Sequence, residues 1–348
     1  MPAGRERARP GPEPELTDEL YDVDAVEAGA WVPGPYGPDD ERGSFNEVTP
    51  EKTRRALGLL DLTRPVRTYS LGEELFDGYP TWGDRSYEQR LVVMGYEPGP
   101  GFEGELADAL PQGPGRNAVH EERISTTYSL GTKVNGLHHV GLGGRFYNGF
   151  RGVDIARTWG TTRLGNETMG PIVTRGVLVD VLGLKCATGD DVLTSASGAP
   201  YLRNSYRITV DDIEAALARA GVDAIEPGDA VLIRTGWRTL IRDDPHDYLE
   251  GGPPGPYLRE CRWLARHRPA LVGSDTWVFE VVDPELSHGY LVPCHVELFM
   301  RFGIRIAESV RTDDLAADGV YEFVFCFNPQ PALGATAANA PPLALGQP

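Results

Sequence analysis

PCHVELFMRFGIRIAE, residues 293–308, holds a helix signal and a strand signal joined by a single glycine. Pro293 suits the first helical turn, where its missing N–H would have no partner, and Gly303 suits the stop. His295, Leu298 and Phe299 ride on that predicted helix. Past Gly303, period-two alternation puts Ile304, Ile306 and Glu308 on one strand face and Arg305 and Ala307 on the other. A carboxylate pointing where two isoleucines point is costly unless paired, hydrogen-bonded or metal-bound, so Glu308 is a candidate functional residue. The plainer reading is a strand-end glutamate in solvent.

Outward from this unit, near-continuous apolar runs at 177–181, 230–234, 270–273 and 321–327 suit strands buried on both faces. A helix is predicted after Thr209, with Asp212 completing a capping pair, Ile213, Ala216, Leu217 and Ala220 on one stripe, and Gly221 as the stop. Another runs from about Pro256 through Trp263 and Leu264. The class is α/β, with a mixed sheet and a few helices. Residues 1–45, rich in Pro, Gly, Glu and Asp, read as an acidic tail that cannot repay its ordering entropy alone; residues 46–348 read as a single domain, starting with Thr49 as a cap and Pro50 in the first turn.

Among 348 residues, 33 are basic and 51 acidic, a formal net charge of -18. That field repels phosphate backbones and anionic lipid, so nucleic acid and membrane surface are not expected as the main partner. Cys186, Cys261, Cys294 and Cys326 form no C-x-x-C pair, which suggests neither a zinc knuckle nor a disulfide framework. The N-terminus carries charge and proline instead of an apolar run, and no stretch approaches the ~20 apolar residues of a membrane span, so a cytoplasmic location is expected.

Residues 128–140 read YSLGTKVNGLHHV, followed after a glycine-rich turn by FYNG at 146–149. If extended, Ser129, Lys133 and Asn135 share one face and Leu130, Thr132 and Val134 the other. Of the adjacent His138 and His139, one would be buried and one exposed; each is either structural or catalytic. Phe146 and Tyr147 wall an apolar pocket or belong to ordinary core. Asp275, flanked by Trp277 and the 270–273 run, either orients a histidine or caps a turn.

GTKVNGLHHVG at 131–141 with RFYNG at 145–149 resembles the signature of the cyclase family, whose members include kynurenine formamidase, isatin hydrolase and polyketide-cluster cyclases. RGVLVDV (175–181), EPGDAVLIRTGW (226–237), VGSDTWVFEVV (272–282), the 295–308 stretch, DGVYEFVF (318–325) and GAT (334–336) follow in the family's order, so the resemblance covers about residues 46–345. It implies a swivelling β/β/α fold, a homodimer or homotetramer, and hydrolysis of a small amide or lactam with zinc or manganese. In the family motif H-x-x-x-H-x-D-x-x-x-H, the first two histidines and the aspartate bind metal, the last histidine transfers a proton, and a later His and Glu complete the site. Ser129, Lys133 and Asn135 stand at the first three positions here, while His139, His295 and Glu308 match. Longer members vary at the first two positions, commonly with glutamine at the second.

An ammonium has no lone pair and repels a divalent cation, and a neutral amide replaces a hard anion poorly. The expectation is therefore no metal cofactor, with His295 and Glu308 the ligands if zinc or manganese persists. Lys133 is expected to take the cation's place beside Glu308, with His139 moving a proton; Ser129, Asn135, His138, Phe146, Tyr147, Asp275 and His295 are the expected substrate contacts. Cyclisation, isomerisation or dehydration of a small amide, lactam or polyketide-like carbonyl compound fits such a site. The rival readings are a metal-dependent hydrolase of formamidase type and an inactive scaffold that binds a ligand or partner, Lys133 then reaching out to solvent.

Overall fold

Nine strands form one mixed sheet in the computed structural model, which describes residues 13–348. Across the sheet they run Arg67–Ser70, Leu343–Gly346, Glu322–Phe327, Ile172–Val179, Ala230–Ile233, Leu271–Ser274, Arg305–Glu308, Lys133–Asn135 and Ala337–Ala338. The four strands from Ile172–Val179 to Arg305–Glu308 are parallel neighbours, and the flanking pairs are antiparallel. Parallel strands need crossovers, which the helices Val210–Ala220, Leu258–Arg266 and Pro293–Val296 supply. The last continues as a π-helical turn over Glu297–Arg301.

Alternation along the central strands builds a core on each face of the sheet. Val177, Val179, Val231, Ile233, Val272 and Ile306 pack with the crossover helices, while Leu178, Leu232, Leu271, Ala307 and Phe323 fill the other side. Each fully buried aliphatic side chain of this kind contributes about 1.5–3 kcal/mol. The predicted run at 177–181 stops at Val179, because the Asp180 side chain accepts the Gly183 N–H at 2.9 Å and caps a helix over Val181–Thr188. Around Val210–Ala220 the capping box of Thr209 and Asp212 is complete, and Gly221 ends the helix at φ 70°.

Not foreseen was a three-stranded sheet of Tyr87–Met94, Glu105–Asp108 and Val119–Thr126, exposed at most positions. Of the expected tail, residues 1–12 lie outside the described residues. Residues 13–45 cross the body: Asp18 pairs with Arg207, the backbone of Thr17 and Glu19 accepts from Arg262, and Tyr21 and Val26 pack on Val296 and Met300. No helix among the described residues is long and apolar enough to cross a membrane, and all four cysteines are free.

Candidate active site

Glu308 ends the Arg305–Glu308 strand, and its register partner on the antiparallel neighbour is Lys133. Ile304 and Ile306 lie in the helix-side core and Ala307 in the opposite one, so alternation turns the Glu308 carboxylate inward. Arg305, on the far face, stacks over Phe45 at 5.1 Å. Side-chain exposure is 4% for Lys133 and 3% for Glu308, so both charges are removed from water and need partners.

They find them in one network. Lys133 Nζ donates to Glu308 Oε2, and Asn135 Nδ2 donates to the same oxygen at 3.1 Å. His295 bridges the second oxygen to another acid: Nε2 lies 2.9 Å from Glu308 Oε1 and Nδ1 lies 2.5 Å from Glu280 Oε1. Glu280 also accepts the backbone N–H groups of Cys294 and His295, at 2.9 and 3.0 Å. These are orphan donors of the first turn after Pro293, so Glu280 caps the helix and aims its histidine together. Val292, at φ 42°, turns the chain into that helix.

Burial opposes charge on His295, but hydrogen bonds to Glu280 and Glu308 prevail and hold its pKa up at about 9. It is therefore an imidazolium at neutral pH, donating from both nitrogens. Burial likewise opposes charge on Glu308, yet the Lys133 ammonium and the His295 hydrogen bond hold it well below the usual carboxylate range. Two cations, Lys133 and His295, thus balance two anions, Glu280 and Glu308.

A divalent ion needs several lone pairs converging on one point, and this donor set is poor in them. Lys133 has none, both His295 nitrogens donate, and Asn135 turns its NH2 toward Glu308, which leaves its neutral Oδ1, buried without a partner, as the one free acceptor of the set. Among the described residues no group of three or more His, Cys, Asp or Glu could hold a metal ion. The zinc or manganese centre implied by the resemblance does not fit the residues present.

Above the network opens a cleft of about 530 Å³, with Lys133, His139, Glu280, His295 and Glu308 among its lining and Trp82, Val140, Tyr257, Trp277 and Tyr290 as apolar wall. Burial first, and the Lys133 charge second, push His139 down to about 3, so its imidazole is neutral. Beside the cleft, sharing Trp82, Arg85, Lys133 and Trp277 with it, lies a second cavity of about 20 Å³ bordered by Tyr79, Ser129, Tyr248 and Ser309, room for about one water.

Several expected contacts lie elsewhere. Ser129 does not share the Lys133 strand face: only Lys133–Asn135 is strand, and Gly131 at φ 57° breaks the extended run before it. Ser129 therefore borders the small adjoining cavity and not the cleft itself. Asn135 touches Glu308 from behind, without lining the cleft. His138 is buried away from it, with Nε2 3.1 Å from Thr161 Oγ1 and its ring edge-on to Phe146; burial lowers it to about 4. Tyr147 is fully buried and donates to Asp40 at 2.9 Å. Asp275 caps a turn, accepting from Thr235 N, Thr235 Oγ1 and Gly236 N at 2.9, 2.5 and 2.7 Å; its burial raises it to about 6 despite those bonds. Thus Asp275, His138, Phe146 and Tyr147 do not reach the cleft, because each is committed to local packing. Sequence reasoning missed Glu280, although a lone acid between Phe279 and Val281 is the same signal that marked Glu308.

The cleft opens where parallel strands end, which is where α/β sheets place ligands. The class so defined is an α/β enzyme fold with a charge-balanced buried polar site. The chain belongs to the cyclase family: the Cyclase family model, described as "Putative cyclase", matches residues 60–281. A crystal structure described as a novel cyclase is 28% identical, with a TM-score of 0.72 over 89% of this chain and 97% of that one. Isatin hydrolase A from Ralstonia solanacearum, 18% identical, shares the fold at a TM-score of 0.56 over 81% of this chain and 92% of its own. An isatin hydrolase bound to the product analogue thioisatinate does so at 17% identity and 0.56, over 86% of this chain and all of that one, 100%. No curated protein sequence matched.

Proposed function

We propose that this protein is a cyclase-family enzyme that acts on a small carbonyl compound by metal-independent acid–base chemistry, with Lys133 in the place of a metal ion. The observation that carries the reading is the buried contact of Lys133 Nζ with Glu308, in a network whose charges already cancel. Glu308 accepts a hydrogen bond from one of the three ammonium N–H groups, which leaves two for a ligand in the cleft. A substrate carbonyl oxygen placed there accepts one of them as negative charge builds on it, and a preorganised donor of this kind is worth roughly two to three orders of magnitude in rate.

Neutral His139 accepts the proton, from a carbon beside the carbonyl in an isomerisation, cyclisation or dehydration, or from an attacking water in a hydrolysis, and returns it to the product carbon, the departing hydroxyl or the departing amine. His295 and Glu280 act at one remove, holding Glu308 ionised and Lys133 in position. Asn135 adds a neutral donor to Glu308 in the place of an anionic ligand, consistent with a cation that is part of the chain.

The test is turnover of a panel of aryl amides, lactams and enolisable ketones, with and without a strong chelator. The expected result is activity that survives chelation and falls by roughly two to four orders of magnitude in His139→Ala. Activity that disappears with the chelator and returns with added zinc or manganese would falsify the proposal. Turnover by neither form, with the His139→Ala protein equal to the native one in every ligand-binding assay, favours a binding scaffold.

A further inference from the structure

Arg85 lines the same cleft as Lys133 and His139 and is only partly exposed. Among the described residues it makes no ion pair and no side-chain hydrogen bond; its guanidinium lies 5.9 Å from the centre of the Trp82 ring. Every carboxylate of the cleft wall is otherwise engaged. Glu308 is held by Lys133 and His295, Glu280 by His295 and the helix start, and Asp283 accepts the Glu285 N–H at 2.8 Å as a helix cap. Three cations, Lys133, His295 and Arg85, and three anions, Glu280, Glu308 and Asp283, line the cleft, and Arg85 is the one of the six whose side chain has no ion-pair or hydrogen-bond partner among the described residues.

A planar guanidinium with five donors and no acceptor matches a carboxylate bidentately. The wall around it suits a flat apolar body: Trp82 and Trp277 both line the cleft, and Trp277 is fixed by a 2.8 Å hydrogen bond from its indole N–H to the Tyr248 carbonyl. We propose that Arg85 is the anion-recognition residue of this cleft and that the substrate is an aromatic carbonyl compound bearing a carboxylate, its ring against the indoles and its carboxylate on Arg85. This rests on the cleft being the reaction site, as proposed above, and leaves the reacting carbonyl to Lys133. The negative field of the whole chain disfavours an anion at long range, so the local cation sets the selectivity.

Binding without turnover separates this inference from the catalytic reading. Isothermal titration of the full chain with benzoylformate, and with uncharged benzoylformamide of the same shape, measures the carboxylate's share. The native protein is expected to bind the acid roughly tenfold or more tighter than the amide, with the difference shrinking as salt is added. Arg85→Ala is expected to lose that factor for the acid while amide binding, which reports on the fold and the indoles, stays within about twofold. Arg85→Lys keeps part of it, because a point charge replaces a fork. Equal binding of acid and amide by the native protein, equal loss of both in Arg85→Ala, or no binding of either probe overturns the assignment, whatever the chelation experiment returns.

Discussion

Replacing Lys133 by methionine keeps most of the unbranched stem and deletes the charged end. The four-member network then goes from two cations and two anions to a net single negative charge. Glu308 Oε2 keeps only the Asn135 amide at 3.1 Å, while Oε1 keeps His295 at 2.9 Å. Removing one partner of a buried pair costs roughly 3–5 kcal/mol, and the remaining imidazolium places this case near the lower end, about 3 kcal/mol. For a chain of this size that is a fall of roughly 4 °C in Tm. Glu308→Gln leaves the opposite imbalance, a single positive charge, and costs a similar amount. In the double variant the His295 and Glu280 charges still cancel, so the two losses are expected to fall short of adding by about 2–3 kcal/mol. Urea unfolding followed by circular dichroism measures all four proteins, with a constant slope against denaturant as the check that only stability has changed. A Lys133→Met protein within about 1 kcal/mol of native, or strictly additive losses, would refute the pairing of these charges inside the fold.

Two further outcomes follow from the same network. His295 titrates near 6.5 when unfolded and at about 9 when folded, so its contribution is fully present below pH 6.5 and disappears as pH rises through about 9. The size is about 3 kcal/mol, read as urea stability at pH 6.5 against pH 9.5, and His295→Gln should remove this dependence; a native curve that is flat over that window contradicts the assignment. Glu280→Gln keeps an acceptor for the helix start but removes the anion beside Nδ1, so the His295 midpoint should drop, by NMR titration, with roughly 1–3 kcal/mol of stability lost. An unmoved midpoint would mean that Glu280 does not hold the imidazolium.

What was legible in the chain depended on how local its physics is. The Thr209 and Asp212 cap with its Gly221 stop was readable because all three act within one helix. Glu308 was readable because two isoleucines at the same strand parity reported its direction. Lys133 was found through family register, since no pattern within residues 129–135 says which strand lies alongside. Ser129 was misplaced because strict alternation was carried through Gly131, whose positive φ resets the faces. Glu280 escaped because its partners on the Pro293 helix lie beyond an intervening loop that ends in the left-handed turn at Val292. The small three-stranded sheet left no trace because its strands are exposed on both faces and carry no alternation. His138, Tyr147 and Asp275 carry groups that serve either chemistry or packing, and only the contacts to Thr161, Asp40 and Thr235 decide between them.

The most direct test is elemental analysis of the native protein after incubation with excess zinc or manganese and removal of unbound ion, combined with anomalous X-ray scattering at the metal edge. Far less than one ion per chain and no anomalous peak beside Glu308 are expected, with Lys133 Nζ against its carboxylate. A stoichiometric ion coordinated by Glu308 and His295, with Lys133 displaced from them, would contradict it.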